Sequence, residues 1–336
     1  MKIDAKSLSE KFSSSCQKIS YSKFKNFSIC ESSWFVGNFI ESDQKVVNQR
    51  YAVSGTIIQR IFQSIINDRK YNQYKSSKDL KNWIKQNVYG LSEILLFPLE
   101  NQYLEPYKNR EFYKTEQGLA LIEKIQKRYP LFDITTDISP NFIKFSEFCY
   151  DHKTVGAFAE KLSNIAIECC FNFLKIDITS TVSETYLKYE TPSGTILSGI
   201  VDFIEKDYTK ESYFIFDGKM NLNAYVSDLQ LIFYSYLIYK NYGTLPYKTG
   251  FLGWKENILK EVQVAESDFM TLETEISTYE KRCIEIKNIL NSIEDDYITL
   301  EKVLSILDQT PSYTTCKFCS IKESCPKSYK SKKKQN

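Results

Sequence analysis

The 336 residues carry 44 Lys and Arg against 42 Asp and Glu, and a net charge of +2 excludes a uniformly basic chain, so any nucleic-acid contact must be a local patch. An apolar fraction of 42% with 15% aromatics fills the core of one large domain or two small ones, and no apolar run approaches the ~18 residues of a membrane span. A single histidine excludes a histidine-rich metal centre; nine cysteines behind an N-terminus without a secretory apolar stretch predict metal binding or buried thiols in an intracellular, cytoplasmic protein.

In chain order, Ser20 and Ser22 precede a short helix carrying Phe24, Phe27 and Cys30, and either serine suits its N-cap. Alone, Cys30 reads as a small apolar residue. Residues 51–67, YAVSGTIIQRIFQSIIN, predict an amphipathic helix with Ile57, Ile58, Ile61, Phe62, Ile65 and Ile66 on its apolar face. Gln59 stands one turn after Gly55. From 70 to 180 the pattern is polar, aromatic and mostly helical, with helices expected over 80–87, 117–127 and 142–174 and a loop around Pro130 and Pro140. This stretch reads as an inserted helical lobe. Cys169 and Cys170 are adjacent on its last helix, face different ways and read as core.

Residues 181–219 predict a β segment: a strand over 183–189, a turn at Thr191-Pro192-Ser193-Gly194, a strand over 195–203, a polar link at 205–211, and a strand over 212–217. Side chains two apart on a strand share a face, so Asp217 and Lys219 point the same way. With Asp202 opposite, two carboxylates and an ammonium converge. Hard acidic oxygens hold Mg²⁺ or Mn²⁺, and a lysine beside them can orient a water or balance transition-state charge, which together suit phosphodiester hydrolysis. As a bare pattern, D…DxK also arises by chance. Glu184 is a candidate third acid, or an ordinary exposed strand glutamate.

A helix over 227–240, capped by Ser227 or Asp228, sets Gln230 and Tyr234 one turn apart. Two short strands are expected after Pro246. Over 266–291, Phe269, Leu272, Ile276, Tyr279, Cys283, Ile286 and Leu290 step by three and four and predict a long helix packed along one stripe. Cys316, Cys319 and Cys325 form C-x2-C-x5-C, which leaves both zinc with a fourth ligand elsewhere and an iron–sulfur cluster open. The final KSYKSKKKQN is a basic tail expected to be disordered.

Taken as ordered motifs, the chain resembles the PD-(D/E)XK nuclease superfamily, in its RecB-like branch that carries an iron–sulfur cluster, a branch that includes CRISPR-associated RecB-like exonucleases and the AddB nuclease domain. SYSKFKNFSICESSWF is similar to the branch's opening stretch ending in its first cluster cysteine, here Cys30. Gly199-Ile200-Val201-Asp202 is similar to the strand bearing the first metal aspartate, Asp217-Gly218-Lys219 to the (D/E)-x-K motif, and Gln230-Leu231-Ile232-Phe233-Tyr234 to Q-h-x-x-Y. Cys316, Cys319 and Cys325 resemble the C-terminal cluster cysteines. One position departs: where the family carries G-x-x-x-H with a metal-binding histidine, this chain has Gly55 and Gln59, a neutral carbonyl ligand at best.

The resemblance implies an α/β fold, with a small mixed sheet flanked by helices, a helical insertion and a C-terminal cysteine clasp. The segments would be 1–69 with the first cluster cysteine and a core helix, 70–180 the lobe, 181–264 the nuclease core, 265–326 the helix and cluster cysteines, and 327–336 the tail. It further implies a Mg²⁺- or Mn²⁺-dependent DNA exonuclease. Asp202, Asp217, Gln59 and Glu184 would be at the metal, Lys219 would position the water, and Gln230 and Tyr234 would support the site or contact DNA. A structural 4Fe–4S cluster would sit on Cys30, Cys316, Cys319 and Cys325. Partners would be DNA and a helicase, recombinase or replication protein, with no membrane. The competing expectation is a lapsed nuclease-fold DNA-binding subunit.

Overall fold

The computed structural model describes residues 2–40, 50–67, 76–96, 155–173, 180–222 and 226–308, with scattered positions over 115–123 and single residues beyond, Cys316 and Cys325 among them. Most of the helix expected over 117–127, the first part of that over 142–174, Cys319 and the basic tail lie outside the described residues.

The chain opens with β1 (Lys2–Asp4), α1 (Ala5–Cys16), β2 (Lys18–Ser20), α2 (Tyr21–Ile29) and α3 (Glu31–Phe39). Then come α4 (Arg50–Asn67), α5 (Ser77–Leu96) and α6 (Val155–Phe173). The β-rich middle is β3 (Thr181–Glu190), β4 (Ile196–Asp207), β5 (Ser212–Lys219), α7 (Leu229–Tyr242), β6 (Lys248–Gly253) and β7 (Ile258–Val262). The chain closes with α8 (Glu266–Asn291), β8 (Tyr297–Thr299) and α9 (Leu300–Ile306).

One mixed six-stranded sheet organises these elements. β3 pairs antiparallel with β4 and β4 antiparallel with β5; α7 then crosses over to β6, parallel to β5, and β7 pairs back antiparallel on β6. The start of β4 also takes β2 as a parallel partner, Ile19 opposite Leu197, so β3 is an edge strand. This is the α/β core with a small mixed sheet that the motifs imply.

Strand alternation sends apolar side chains to both faces. On β5, Ile215 joins a core built with α1, α2, α3, α7 and α8, while Phe214 and Phe216 join a second core with α4, α5 and α6. α7 is buried nearly all round, from Gln230 through Ile238, as suits a helix between sheet and helices. Every residue of the α8 stripe is buried, Cys283 included, and so are Ile57, Ile58, Ile61, Phe62, Ile65 and Ile66 of α4 and the Cys169-Cys170 pair.

Local expectations are met in part and corrected in part. Ser20 caps α2, its Oγ accepting from the Lys23 N–H, while Ser22 lies inside the helix. Cys30 does not ride on that helix: it is the extended joint between α2 and α3. α7 has no side-chain cap, and Asp228 turns toward Lys260 at 3.9 Å. α5 also runs well past the expected 80–87 at both ends.

Gly218, between the motif's Asp217 and Lys219, has a packing reason. A Cβ there would sit 2.4 Å from Cζ2 of Trp254, which is buried and packs on Phe62 of α4 at 4.6 Å. Gly218→Ala is therefore expected to cost about 1–3 kcal/mol of unfolding free energy, read from urea melts. A change within measurement error would show that the indole yields freely.

Candidate active site

β4 and β5 pair as far as Phe203 opposite Phe216, whose rings stack at 4.9 Å. The next residues on the two strands are Asp202 and Asp217. There the regular pairing gives way to a side-chain contact: Asp202 Oδ2 accepts the backbone N–H of Gly218 at 2.9 Å. On the other side of β4, Ser183 pairs with Phe203 and Thr185 with Val201, which leaves Glu184 facing Asp202 without a backbone bridge. Glu184 has φ 53°, an uncommon conformation for a residue inside a strand. Backbone strain of this kind persists where surrounding structure enforces it, and it gathers at functional sites. Three acids thus lie in a row across β3, β4 and β5.

Asp217 is 2% exposed. Gln230 Nε2, on the first turn of α7, donates to its Oδ1 at 2.7 Å and lies 3.2 Å from the Tyr234 hydroxyl. Lys219, two residues along the same strand face, forms an ion pair with Asp217 Oδ2. That oxygen accepts no well-directed hydrogen bond. The Tyr234 ring lies against Gly199 of β4, where a Cβ would stand 2.8 Å from its Cε1. Asp217, Lys219, Gln230 and Tyr234 thus meet in one contact network; spacing predicts the strand pair and the helix pair, and the crossover to α7 brings the two together.

Gln59 and Gln63, one turn apart on α4, both donate Nε2–H to Glu184, Gln59 at 2.8 Å. The Gln59 amide therefore shows its nitrogen to the acid row, and its carbonyl would have to swing round to serve as a ligand. Two further side chains come from α2. Tyr21 is buried against Tyr234, ring centroids 6.4 Å apart, and Lys25 follows one turn later with its ammonium 5.8 Å from the Tyr21 centroid. Neither Tyr21, Lys25 nor Gln63 was singled out in the sequence. Their signal was an i, i+4 partner on a helix already assigned.

Electrostatics follow burial. Asp202 is held well above the usual carboxylate range, by loss of hydration first and then by the Asp217 charge, against the Gly218 N–H and Lys219. Asp217 is raised by burial, with Lys219 pulling it down. Glu184 is solvent-accessible yet crowded, and is raised by lost hydration against its two glutamine donors. Burial, then Lys219, lowers Lys25.

Two carboxylates that oppose each other's ionisation, one with an oxygen lacking a directed hydrogen bond, fit a hard divalent cation. Among the described residues no three His, Cys, Asp or Glu side chains gather into a metal-ligating group, so Asp202 and Asp217 would hold the ion, with Glu184 at its edge. The sign of the consequence is fixed. Acids with raised folded-state pKa favour the fold at low pH, and that contribution is lost as pH rises through the folded value. A cation needs the ionised forms and restores the loss. Mg²⁺ is therefore expected to raise Tm at neutral pH and not at pH 4. Asp202→Asn should raise the metal-free Tm at neutral pH and cancel the Mg²⁺ increment; an increment independent of pH and of Asp202 would exclude this site.

Of the expected cluster cysteines, Cys30 and Cys316 are buried and Cys325 partly so; they form no ligand group among the described residues, and Cys319 lies outside these. Cys30 does stand beside the C-terminal segment. Its neighbours Glu31 and Ser32 bond to Asp308, the Ser32 N–H donating to the Asp308 carbonyl at 3.3 Å.

No curated protein matches the chain. The family model described as the PD-(D/E)XK nuclease superfamily matches residues 18–326, a span that opens at β2 and takes in the acid row, Lys219, Gln230 and the C-terminal cysteines. With an acid pair, a lysine and a glutamine meeting where a mixed sheet splays, this chain belongs to the PD-(D/E)XK nuclease superfamily.

Proposed function

We propose that the protein is a Mg²⁺- or Mn²⁺-dependent deoxyribonuclease of the RecB-like branch, acting as an exonuclease in DNA replication, recombination, repair or defence. The superfamily's members are metal-dependent nucleases, and the observation that carries the reading to this chain is the Asp202, Asp217 and Lys219 constellation with Gln230 fixing Asp217. When bound, the cation neutralises phosphate charge and acidifies a water. Asp202 and Asp217 would supply its oxygen ligands. Gln230 holds the Asp217 carboxylate in one orientation, so its other oxygen stays directed at Lys219. Lys219 presents ammonium donors to the attacking water and to the phosphoryl oxygens as they gain charge. The water oxygen bonds to phosphorus and gives its proton to solvent, the P–O ester bond breaks, and the leaving oxygen takes a proton from a solvent water.

The same reading includes a structural 4Fe–4S clasp on Cys30, Cys316, Cys319 and Cys325. It is supported by the C-x2-C-x5-C spacing and by the anchoring of residue 308 beside Cys30. Iron content and broad absorbance in protein purified without oxygen test it, and zinc in a colourless protein would replace it. A second reading, a DNA-binding subunit with lapsed catalysis in a larger complex with a helicase or recombinase, is favoured by one observation: the Gln59 amide N–H is turned to Glu184 where the family carries a ligand.

Digestion of end-labelled single- and double-stranded DNA with Mg²⁺ or Mn²⁺ separates them. Cleavage by the parent chain supports the enzyme, and its label gives polarity. Binding without cleavage, with activity gained in Gln59→His, supports the lapsed subunit.

A further inference from the structure

Cys16 is the last residue of α1 and Cys283 lies within α8; neither belongs to the acid row or to the cysteines expected at the clasp. Two contacts join these helices. Ser9 Oγ donates to Asn291 Oδ1, and the Cys16 thiol shares a hydrogen bond with Cys283. From Ser9 on to Cys16, and from Asn291 back to Cys283, is about two turns in each helix. The helices therefore run antiparallel, with both cysteines at one level. Both are free thiols; Cys283 is buried in the core and Cys16, partly exposed, packs against that core. Tyr279, one turn before Cys283, is buried with its hydroxyl beside the sulfurs and in no well-directed hydrogen bond. Two ammoniums flank Cys16: Lys287, one turn after Cys283, and Lys23 of α2, which donates to Ser15 Oγ at 2.9 Å.

Two thiols in contact, one reachable from solvent and the other shielded, suit oxidation that stops at a disulfide instead of running on to sulfinic acid. We infer that Cys16 and Cys283 are a redox modification site, which a peroxide converts to a reversible disulfide that staples α1 to α8. The Cys16 sulfur attacks one peroxide oxygen, the O–O bond breaks, and the departing oxygen leaves as water with the thiol proton. Cys16 is then a sulfenic acid. The Cys283 sulfur attacks the Cys16 sulfur, the S–O bond breaks, and the hydroxyl takes the Cys283 proton and leaves as a second water. Two thiols have lost two electrons and the peroxide has gained them. The Tyr279 hydroxyl is placed to donate to the oxygen that departs. Burial and the thiol–thiol hydrogen bond hold the Cys16 thiol up, against Lys23 and Lys287, so the reaction is slow and the link needs sustained oxidant. The staple closes a loop from residue 16 to residue 283, and long closures constrain the unfolded chain most. It also fixes the end of α1 from which β2 and α2 lead to Tyr21, Lys25 and Cys30. None of this depends on the nuclease reading.

The test uses the full chain, reduced, freed of reductant and treated with hydrogen peroxide, then blocked with N-ethylmaleimide and digested with trypsin without reduction. Cleavage after lysine and arginine leaves each cysteine on its own peptide, 12–18 and 283–287. A disulfide-linked pair of these two peptides should dominate the oxidised sample and vanish with dithiothreitol. Oxidation should raise Tm by about 5 °C or more. Cys16→Ser and Cys283→Ala should each remove both the linked pair and the rise. Cys16→Ser changes the partly exposed position, so it carries the test if Cys283→Ala does not fold. Peroxide that leaves both peptides labelled with maleimide, takes Cys16 to sulfinic acid, or joins it to another cysteine overturns the staple. A rise in Tm that survives in Cys16→Ser does the same. DNA cleavage is not among the readouts, so the nuclease reading and the staple fail separately.

Discussion

Lys219→Ala is expected to slow DNA cleavage by at least about a hundredfold under single-turnover conditions while leaving DNA affinity within a few-fold of the parent. The asymmetry comes from where Lys219 sits. Its side chain is 30% exposed at the end of β5, so little packing is lost with it. Its ammonium is held on the oxygen of a buried carboxylate, beside a second carboxylate, where phosphoryl charge would develop. Groups placed at developing charge act on the transition state more than on the bound substrate. Lys219→Arg is an informative companion, because the guanidinium keeps the charge but spreads it over a fork that two strand positions cannot align with Asp217 in the same way. Retention of more than a third of the parental rate by Lys219→Ala would sink the proposed role.

Much of this site was legible because it follows periodicities that survive folding. Asp217 and Lys219 share a strand face, Gln230 and Tyr234 a helix face, and both regularities are local. The α8 stripe and the apolar face of α4 were legible for the same reason, and both are buried as expected. The meeting of Asp202 with Asp217 also depended on the tight antiparallel connection between β4 and β5, which the polar link announced.

What did not show in the sequence is what depends on register or on chain ends. Glu184 faces Asp202 because β3 and β4 pair in the register that sets Ser183 opposite Phe203, and no pattern in the strand itself fixes that register. Its positive φ is likewise invisible in a run of ordinary strand residues. β1, β2 and β8 are three residues each, too short for alternation to declare itself, yet β2 brings Tyr21 and Lys25 to the site by pairing with β4. Ser20 and Ser22 were equally good caps by composition; pairing of Ser20 with Ser198 decided between them, since the strand must end before the helix begins.

Arg282→Ala is expected to destabilise the protein by about 3–5 kcal/mol, read as a fall in the denaturant midpoint. Arg282, on the polar flank of the α8 stripe, makes a two-pronged ion pair with Glu31, Nε to Oε1 at 2.8 Å and Nη2 to Oε2 at 2.9 Å. Glu31 is only 4% exposed, so without its arginine a carboxylate is left in the interior with the Asp308 N–H as its remaining donor. The same guanidinium donates to the Ile306 carbonyl at 2.8 Å. One side chain therefore ties α3, α8 and the segment leading to the C-terminal cysteines. Lysine cannot reproduce the fork, so Arg282→Lys should recover less than half of the loss. Removing both charges with Glu31→Gln and Arg282→Met together should cost less than Arg282→Ala alone, because the penalty is the stranded carboxylate rather than the lost attraction. If the clasp joins Cys30 to the chain's far end, Arg282→Ala should also lower bound iron per chain at temperatures where the core remains folded. Full iron retention with a lowered midpoint would make the tie a brace of α8 alone.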